Sequence, residues 1–409
     1  MTSTGVLPTP AVSVGGSRHH GFGFWVVAGT FAVTMAFSAA PAPLYVQYQA
    51  EQGFGPFTVT LIFAAYAVGV LASLFLLGHI SDWVGRRRVL VPAVLVNVLA
   101  GLIFLEWTAL PALLIARFVS GISIGMITAT ATAHLAELHL AARPGASRTR
   151  ADVVATAANL GGIGLGPLIA GVVAQFAPAP LHLPYLVFVA LMLLGALALA
   201  LVPETVESTP VTYRPQRVSV PREGRGRYFA AGVAALVQFA VFGLFTSLAP
   251  AFLAGMLGRP SFVLAGLTAF AVFAAAAVAQ VFVSRLEPRY QLRFGLTVLV
   301  AGVVLLAVAA QLPSLPLFLV GGVLAGAGAG AGFKTSVGIV LSVTPPEGRG
   351  EALAGLFLAA YTGLVVPVLG LGLAVQLVSV PTALLGFVVV LLAVLALVGR
   401  RLLGAVDDR

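Results

Sequence analysis

Apolar residues run along this chain in long unbroken blocks. No Asp, Glu, Lys or Arg occurs within residues 19–50, 52–81, 153–203, 228–258, 294–333 or 352–399. A helix needs about 20 apolar residues to cross the hydrocarbon of a bilayer, so the longest windows must each hold two helices and a turn. Proline marks those turns, in Ala177-Pro178-Ala179-Pro180, Gln311-Leu312-Pro313-Ser314-Leu315-Pro316 and Ser379-Val380-Pro381, because it cannot donate to a continuing helix. The pattern predicts an all-α integral membrane protein with twelve transmembrane helices. They fall at roughly 23–46, 57–79, 89–106, 110–136, 153–176, 182–202, 228–254, 261–283, 294–311, 315–342, 352–376 and 381–399.

Composition agrees, since 60% of the 409 residues are hydrophobic and 9% are charged, too little polar surface for a soluble chain of this size. If the amino terminus is cytoplasmic, 19 of the 22 basic residues fall in inner loops and tails. That asymmetry predicts a multi-pass protein of the cytoplasmic (inner) membrane with both termini cytoplasmic. The net charge of +9 is spread over every inner loop, which points to anionic lipid and topology and away from nucleic acid. There is no cysteine, hence no disulfide, thiol chemistry or Cys-metal site.

Two polar segments frame the spans. Residues 1–21 are rich in Gly, Ser, Thr and Pro, lack the features of a secretory signal, and are expected to form a disordered cytoplasmic tail. The stretch from Glu204 to Arg227 has Pro210, Pro215 and Pro221 among its charges and is expected to be a cytoplasmic linker. The expected organisation is a bundle of six helices over 22–202, the linker over 203–227, a second bundle over 228–402 and a tail over 403–409.

The two halves repeat, as expected for carriers that rock two bundles about one site. Ser38-Ala39-Ala40-Pro41-Ala42-Pro43-Leu44 returns as Ser247-Leu248-Ala249-Pro250-Ala251-Phe252-Leu253, identical at five of seven positions. Arg150, Asp152, Pro167 and Gly171 return in order as Arg349, Glu351, Pro367 and Gly370. The charged hinge Gly78-His79-Ile80-Ser81-Asp82-Trp83-Val84-Gly85-Arg86-Arg87-Arg88 has a counterpart in Ser284-Arg285-Leu286-Glu287-Pro288-Arg289, which lacks the Asp.

With these residues the whole chain resembles the major facilitator superfamily. The hinge is similar to that family's Gly-x-x-x-Asp-x-x-Gly-Arg-Arg loop, carried here by Gly78, Asp82, Gly85, Arg86 and Arg87. Arg117-Phe118-Val119-Ser120-Gly121 resembles its Arg-x-x-x-Gly motif, and Gly162, Gly166, Pro167 and Gly171 resemble a fifth-helix motif associated with drug antiporters. The last departs at Ala170, where a second glycine is common. The resemblance implies two pseudo-symmetric six-helix bundles, a central cavity lined by the first, fourth, seventh and tenth spans, and closest kinship with efflux members.

The residues also suggest their own roles. Asp82 stands where a span meets the cytoplasm, and its carboxylate can accept from arginines and a helix amino terminus, a clasp favouring one orientation of the bundles. The alternative is that Arg86, Arg87 and Arg88 only fix topology. Arg117 lies inside a span and shares a face with Gly121 and Gly125, so it serves either substrate or proton handling or bundle anchoring. Lys334, the one lysine, follows Gly322, Gly326 and Gly330 and either faces the cavity or snorkels to headgroups. Glu137, Asp152 and Glu351 lie at inner ends of spans and none at mid-depth. Proton coupling would therefore use Asp82, Glu137 or Asp152; otherwise the carrier is a facilitator.

Mid-depth candidates for contact with substrate are Thr34, Ser38, Ser123, Gln238, Phe242 and Thr246, with Tyr66, Asn159 and Tyr361 from neighbouring spans. A cavity so poor in charge suits a neutral, amphipathic or weakly anionic organic molecule. Two decoys are set aside: Gly328–Thr335 lacks the glycine before the lysine of a phosphate loop. Gly121-Ile122-Ser123-Ile124-Gly125 matches a hydrolase elbow, but His134 lies three turns along the same helix. A membrane-embedded hydrolase is the alternative from another class. The expectation is a non-enzymatic, cofactor-free, monomeric secondary transporter in the lipid bilayer, exporting a small organic solute with protons as the antiported ion. Uptake of sugars or metabolites is the second reading.

Overall fold

The computed structural model describes residues 14–208, 213–221, 223–255, 258 and 261–407. Helices follow the apolar blocks: α1 (Val14–Ala39), α2 (Tyr45–Gln52), α3 (Pro56–Leu76), α4 (Ser81–Val84), α5 (Arg86–Glu106), α6 (Leu110–Ala142), α7 (Thr149–Thr156) and α8 (Gly162–Phe176). After α9 (Leu183–Leu199) come α10 (Arg225–Ser247), α11 (Ala249–Gly255), α12 (Phe262–Val283), α13 (Pro288–Gln311), α14 (Leu315–Ser342), α15 (Arg349–Leu377) and α16 (Val380–Asp407).

Counting α1–α2, α7–α8 and α10–α11 as single broken crossings gives twelve. Eleven are at least 18 residues long and apolar, and α9, with 17 residues, is the short one. At 1.5 Å per residue α9 spans about 25 Å, and the turns flanking it complete the crossing. An even number of crossings puts both chain ends on one side, called here the terminal side. Large apolar side chains such as Leu197, Val278 and Leu397 lie about 70% exposed on the outer surface, a belt that only lipid can solvate.

Several boundaries differ from the sequence pattern. The expected tail over 1–21 is already helical from Val14, and 1–13 lie outside the described residues. The expected tail over 403–409 continues α16 to Asp407, with 408–409 outside the described residues. Charged first and last turns extend several helices past the hydrocarbon, so Glu137 and Asp152 sit within α6 and α7. A polar turn is compatible with helix once it reaches the headgroups, and apolarity alone cannot mark its end.

The repeated Ser-x-Ala-Pro-Ala segments break their helices at matching depth. In the first, a 3-10 turn at Ala42–Leu44 separates α1 from α2; in the second, α10 stops at Ser247 and α11 begins at Ala249, just before Pro250. Proline removes one donor at each place. The first six crossings pack mainly on one another, through α1, α3 and α5 against α6 and α1 against α8 and α9. The last six do likewise, through α10 against α14, α15 and α16 and α14 against α12 and α13. Between the two sets the long seams are α8 on α12 and α3 on α15.

Candidate functional site

Between the two sets lies a cavity of about 370 Å³. Its far end is closed where α2 meets α11 and the Ala42–Leu44 turn meets α12. The residues there, Ser38, Tyr45, Phe242 and Thr246, are buried. Toward the terminal side the walls become accessible, ending at the exposed Asp152 and the half-buried Thr132, Thr156 and Gln280. The cavity is therefore open on one side only. Its walls are largely aromatic: Phe63 and Tyr66 from α3, Phe239 and Phe242 from α10, Phe273 from α12, Phe333 from α14, and Phe357 and Tyr361 from α15.

Arg117 of α6 stands in this wall at 2% exposure. Its Nη1 donates to the Ser38 carbonyl at 2.5 Å, and its guanidinium lies 4.4 Å from the centre of the Tyr66 ring and 5.7 Å from that of Phe63. Cation–π contact of this kind is worth about 2 kcal/mol when desolvated. It fixes the plane of the guanidinium. The small residues on the same face do the expected packing, since a β-carbon on Gly121 or Gly125 would run into the α3 backbone at Tyr66 and Val70.

On the terminal side, Arg86 is the centre of a charged cluster. Its Nη1 donates to Asp82 and, at 2.9 Å, to Ser81 Oγ, while Nη2 reaches Glu137 Oε1 at 2.8 Å. Gly85 turns the chain into α5 at φ +120° and ψ +145°, a region essentially reserved for glycine. The exposed amides of that helix start are met by Glu204, which accepts from Arg86 N at 2.7 Å and Arg87 N at 3.1 Å. A carboxylate at a helix amino terminus satisfies orphan donors and the dipole together. Thr205 Oγ1 donates to Glu137 Oε2 at 2.5 Å, and Arg87 Nη1 reaches the carbonyls of Ala200 and Val202 at 3.2 Å. The end of the sixth crossing is thus tied to the start of the third and the end of the fourth.

A model of the Major Facilitator Superfamily matches residues 26–312. The chain belongs to the Major Facilitator Superfamily. Among solved structures it is similar to a bacterial homologue of the human lysosomal transporter Spinster, captured inward-facing and unoccupied. The TM-score is 0.72 at 14% identity, over 95% of this chain and 98% of that one. It is also similar to a POT family transporter in complex with 5-aminolevulinic acid, with a TM-score of 0.75 at 13% identity, over 93% of this chain and 95% of that one. No curated protein matches.

In this superfamily member the fifth-crossing glycines are contact points between helices. β-Carbons on Gly162 and Gly166 would land on the backbone of α1 at Ala32 and Ala36, and one on Gly171 on the Phe262 carbonyl of α12. From the other side, Gly266 of α12 presses on the Pro167 carbonyl. The segment thus lets α8 touch its own set through one face and the opposite set through the other.

Of the nine residues expected at mid-depth, Ser38, Tyr66, Asn159, Phe242, Thr246 and Tyr361 line the cavity. Thr34, Ser123 and Gln238 do not. The Thr34 hydroxyl bonds back to Thr30 O, Ser123 Oγ donates to Ala93 O of α5, and Gln238 packs on Gly332 of α14. Ser38 and Thr246 bond back to Met35 O and Phe242 O yet line the cavity, so depth and polarity alone do not say which face a residue takes. The wall also draws on the second, fifth, eighth and eleventh crossings, beyond the four expected, because the cavity extends into the crevice between the sets.

Lys334 is not in the wall, although Phe333 beside it is; it is half-buried and feels the charge of Asp152. Gly322, Gly326 and Gly330 face α10 and α12 at Phe245, Val272 and Ala276. Among the described residues Asp82 pairs with the Arg86 side chain across Gly85, and the acceptor for the backbone amides of that helix start is Glu204. Glu204 could have been noticed as the carboxylate in Pro203-Glu204-Thr205, immediately after a span. Tyr45, one of the buried residues at the blind end, was marked only by following the Pro41 and Pro43 break.

Proposed function

We propose that this protein is a monomeric secondary carrier that exports a small organic solute across the cytoplasmic membrane by alternating access, in exchange for protons. The observation that carries the reading is the cavity between the two six-crossing sets, closed at the far end and open on the terminal side. Rocking of the two sets as rigid bundles along the α8–α12 and α3–α15 seams would close the open end and open the other. The arginine-rich loops lie on the terminal side, which supports a cytoplasmic assignment for it and for both chain ends. Its lipid-exposed apolar belt makes the bilayer its main partner, and no feature of the cavity calls for nucleic acid.

Export is favoured by the Gly162–Gly171 segment, whose Gly171 contact with Phe262 lies on the seam that must slide. For coupling, the candidate carboxylates on the terminal side are Asp152 at the cavity mouth and Glu137 and Asp82, both paired with Arg86. A facilitator is the second reading, favoured by a cavity wall whose only carboxylate is Asp152 at its rim. Reconstitution into liposomes holding a pH indicator separates them. Substrate-dependent proton movement supports antiport, and substrate flux with no proton movement at any concentration leaves the facilitator.

A further inference from the structure

We propose that the blind end of the cavity is a site for the carboxylate of an amphipathic organic acid, held by Arg117 and Tyr45. The inference rests on the transporter reading for the cavity's purpose and adds the chemical class of the cargo. Two buried donors among the lining residues are without acceptors. Arg117 Nε and the Tyr45 hydroxyl have no hydrogen-bond partner, both residues are 2% exposed, and both line the cavity. Arg117 is held at that end by its bond to the Ser38 carbonyl, seven residues before Tyr45. Among the described residues no Asp or Glu pairs with Arg117.

A guanidinium held out of water without a counter-anion is costly unless a partner arrives. The geometry says which edge is free. Nη1 is spent on the Ser38 carbonyl and one face on Tyr66, leaving the Nε side, a fork that fits a carboxylate's two oxygens. The Tyr45 hydroxyl supplies a further donor.

The rest of the cavity fits the rest of such a molecule. Phe239, Phe242, Phe273, Phe333 and Phe357 offer an apolar wall to a hydrophobic body. The only anionic group in the lining, Asp152, is exposed at the mouth. A cation reaching the blind end would meet Arg117 in a low-dielectric pocket, where like charges repel strongly. A neutral molecule would leave both donors incompletely used.

Three probes of one shape and different charge test this: indole-3-acetate, indole-3-acetamide and tryptamine, each titrated against the purified full chain in detergent with thermal stabilisation as readout. Phenylbutyrate and decanoate widen the set of acids. The expected result is that the acids bind at least about tenfold tighter than the amide or the amine, as expected for charge-assisted hydrogen bonds. Arg117→Gln should erase the acid-over-amide preference, Arg117→Lys should keep part of it, and Tyr45→Phe, which retains the ring, should weaken acid binding by about tenfold. The Tyr45 variant keeps the test open if Arg117→Gln fails to fold. Equal binding of the three indoles, tightest binding of the amine, an acid preference that survives Arg117→Gln, or no binding of any acid at millimolar concentration overturns the proposal. Side-specific labelling of introduced cysteines probes the transport reading separately. Alternation without acid preference removes this site alone, and acid preference without alternation leaves the site and removes the carrier.

Discussion

Replacing Glu204 by alanine removes the carboxylate that accepts from two successive amides, Arg86 N at 2.7 Å and Arg87 N at 3.1 Å, at the start of α5. Loss of a capping acceptor costs about 0.5–2 kcal/mol, and loss of an anion at a helix amino terminus about 0.3–1 kcal/mol more. The expected destabilisation is therefore about 1–3 kcal/mol. Glu204→Gln keeps an acceptor oxygen but no charge, so it should lose about 1 kcal/mol. Reversible unfolding in mixed micelles, followed through the three tryptophans, measures both. Glu207, exposed three residues on, serves as control, with Glu207→Ala expected within about 0.5 kcal/mol of the parent. If Glu204→Ala unfolds like the Glu207 variant, the helix start is satisfied by water and the cap argument is wrong.

Glu137→Gln should destabilise by about 1.5–3 kcal/mol in the same unfolding assay, because it removes one of the two carboxylate charges paired with the 10%-exposed Arg86 side chain. Gly171→Val places a side chain on the Phe262 carbonyl across the α8–α12 seam. It should cut transport in liposomes more than Gly386→Val, which changes an exposed glycine of α16 whose β-carbon would meet open space. Lys334, the single lysine and half-buried near the cavity mouth, should react with a membrane-impermeant amine reagent in the resting protein. It should be protected when bound substrate closes the mouth, as read by mass spectrometry of the modified peptide.

The twelve crossings were legible because lipid imposes a simple rule, that every residue in the hydrocarbon be apolar or locally satisfied. The breaks near Pro41 and Pro250 interrupt spans expected to be continuous over 23–46 and 228–254, and α9 is shorter than the expected 182–202, because an apolar block does not show where its helix is interrupted. Helix ends were not legible either, because Arg, Glu and His are as compatible with a helix in the headgroups as with a loop, and α6 runs on through Glu137 and His139 to Ala142. At the cavity, large aromatics were better guides than small polar residues. Thr34 and Ser123 spend their hydroxyls on nearby carbonyls, whereas Phe239, Phe273 and Phe333 meet in the wall without a polar signature to single them out. Glu204 escaped notice for a different reason, since its partner amides lie more than a hundred residues away in sequence.

Reciprocal opening of the two ends is the central claim, and a chain without cysteine permits a direct test. Spin labels at Thr132→Cys and Gln280→Cys report the open end, across α6 and α12; labels at Gln49→Cys and Ala254→Cys report the closed end, across α2 and α11. Pulsed dipolar distances in liposomes, with and without substrate or a pH step, should show the first pair shortening as the second lengthens. Distances that stay fixed at both ends, or that change in the same direction together, would contradict alternating access.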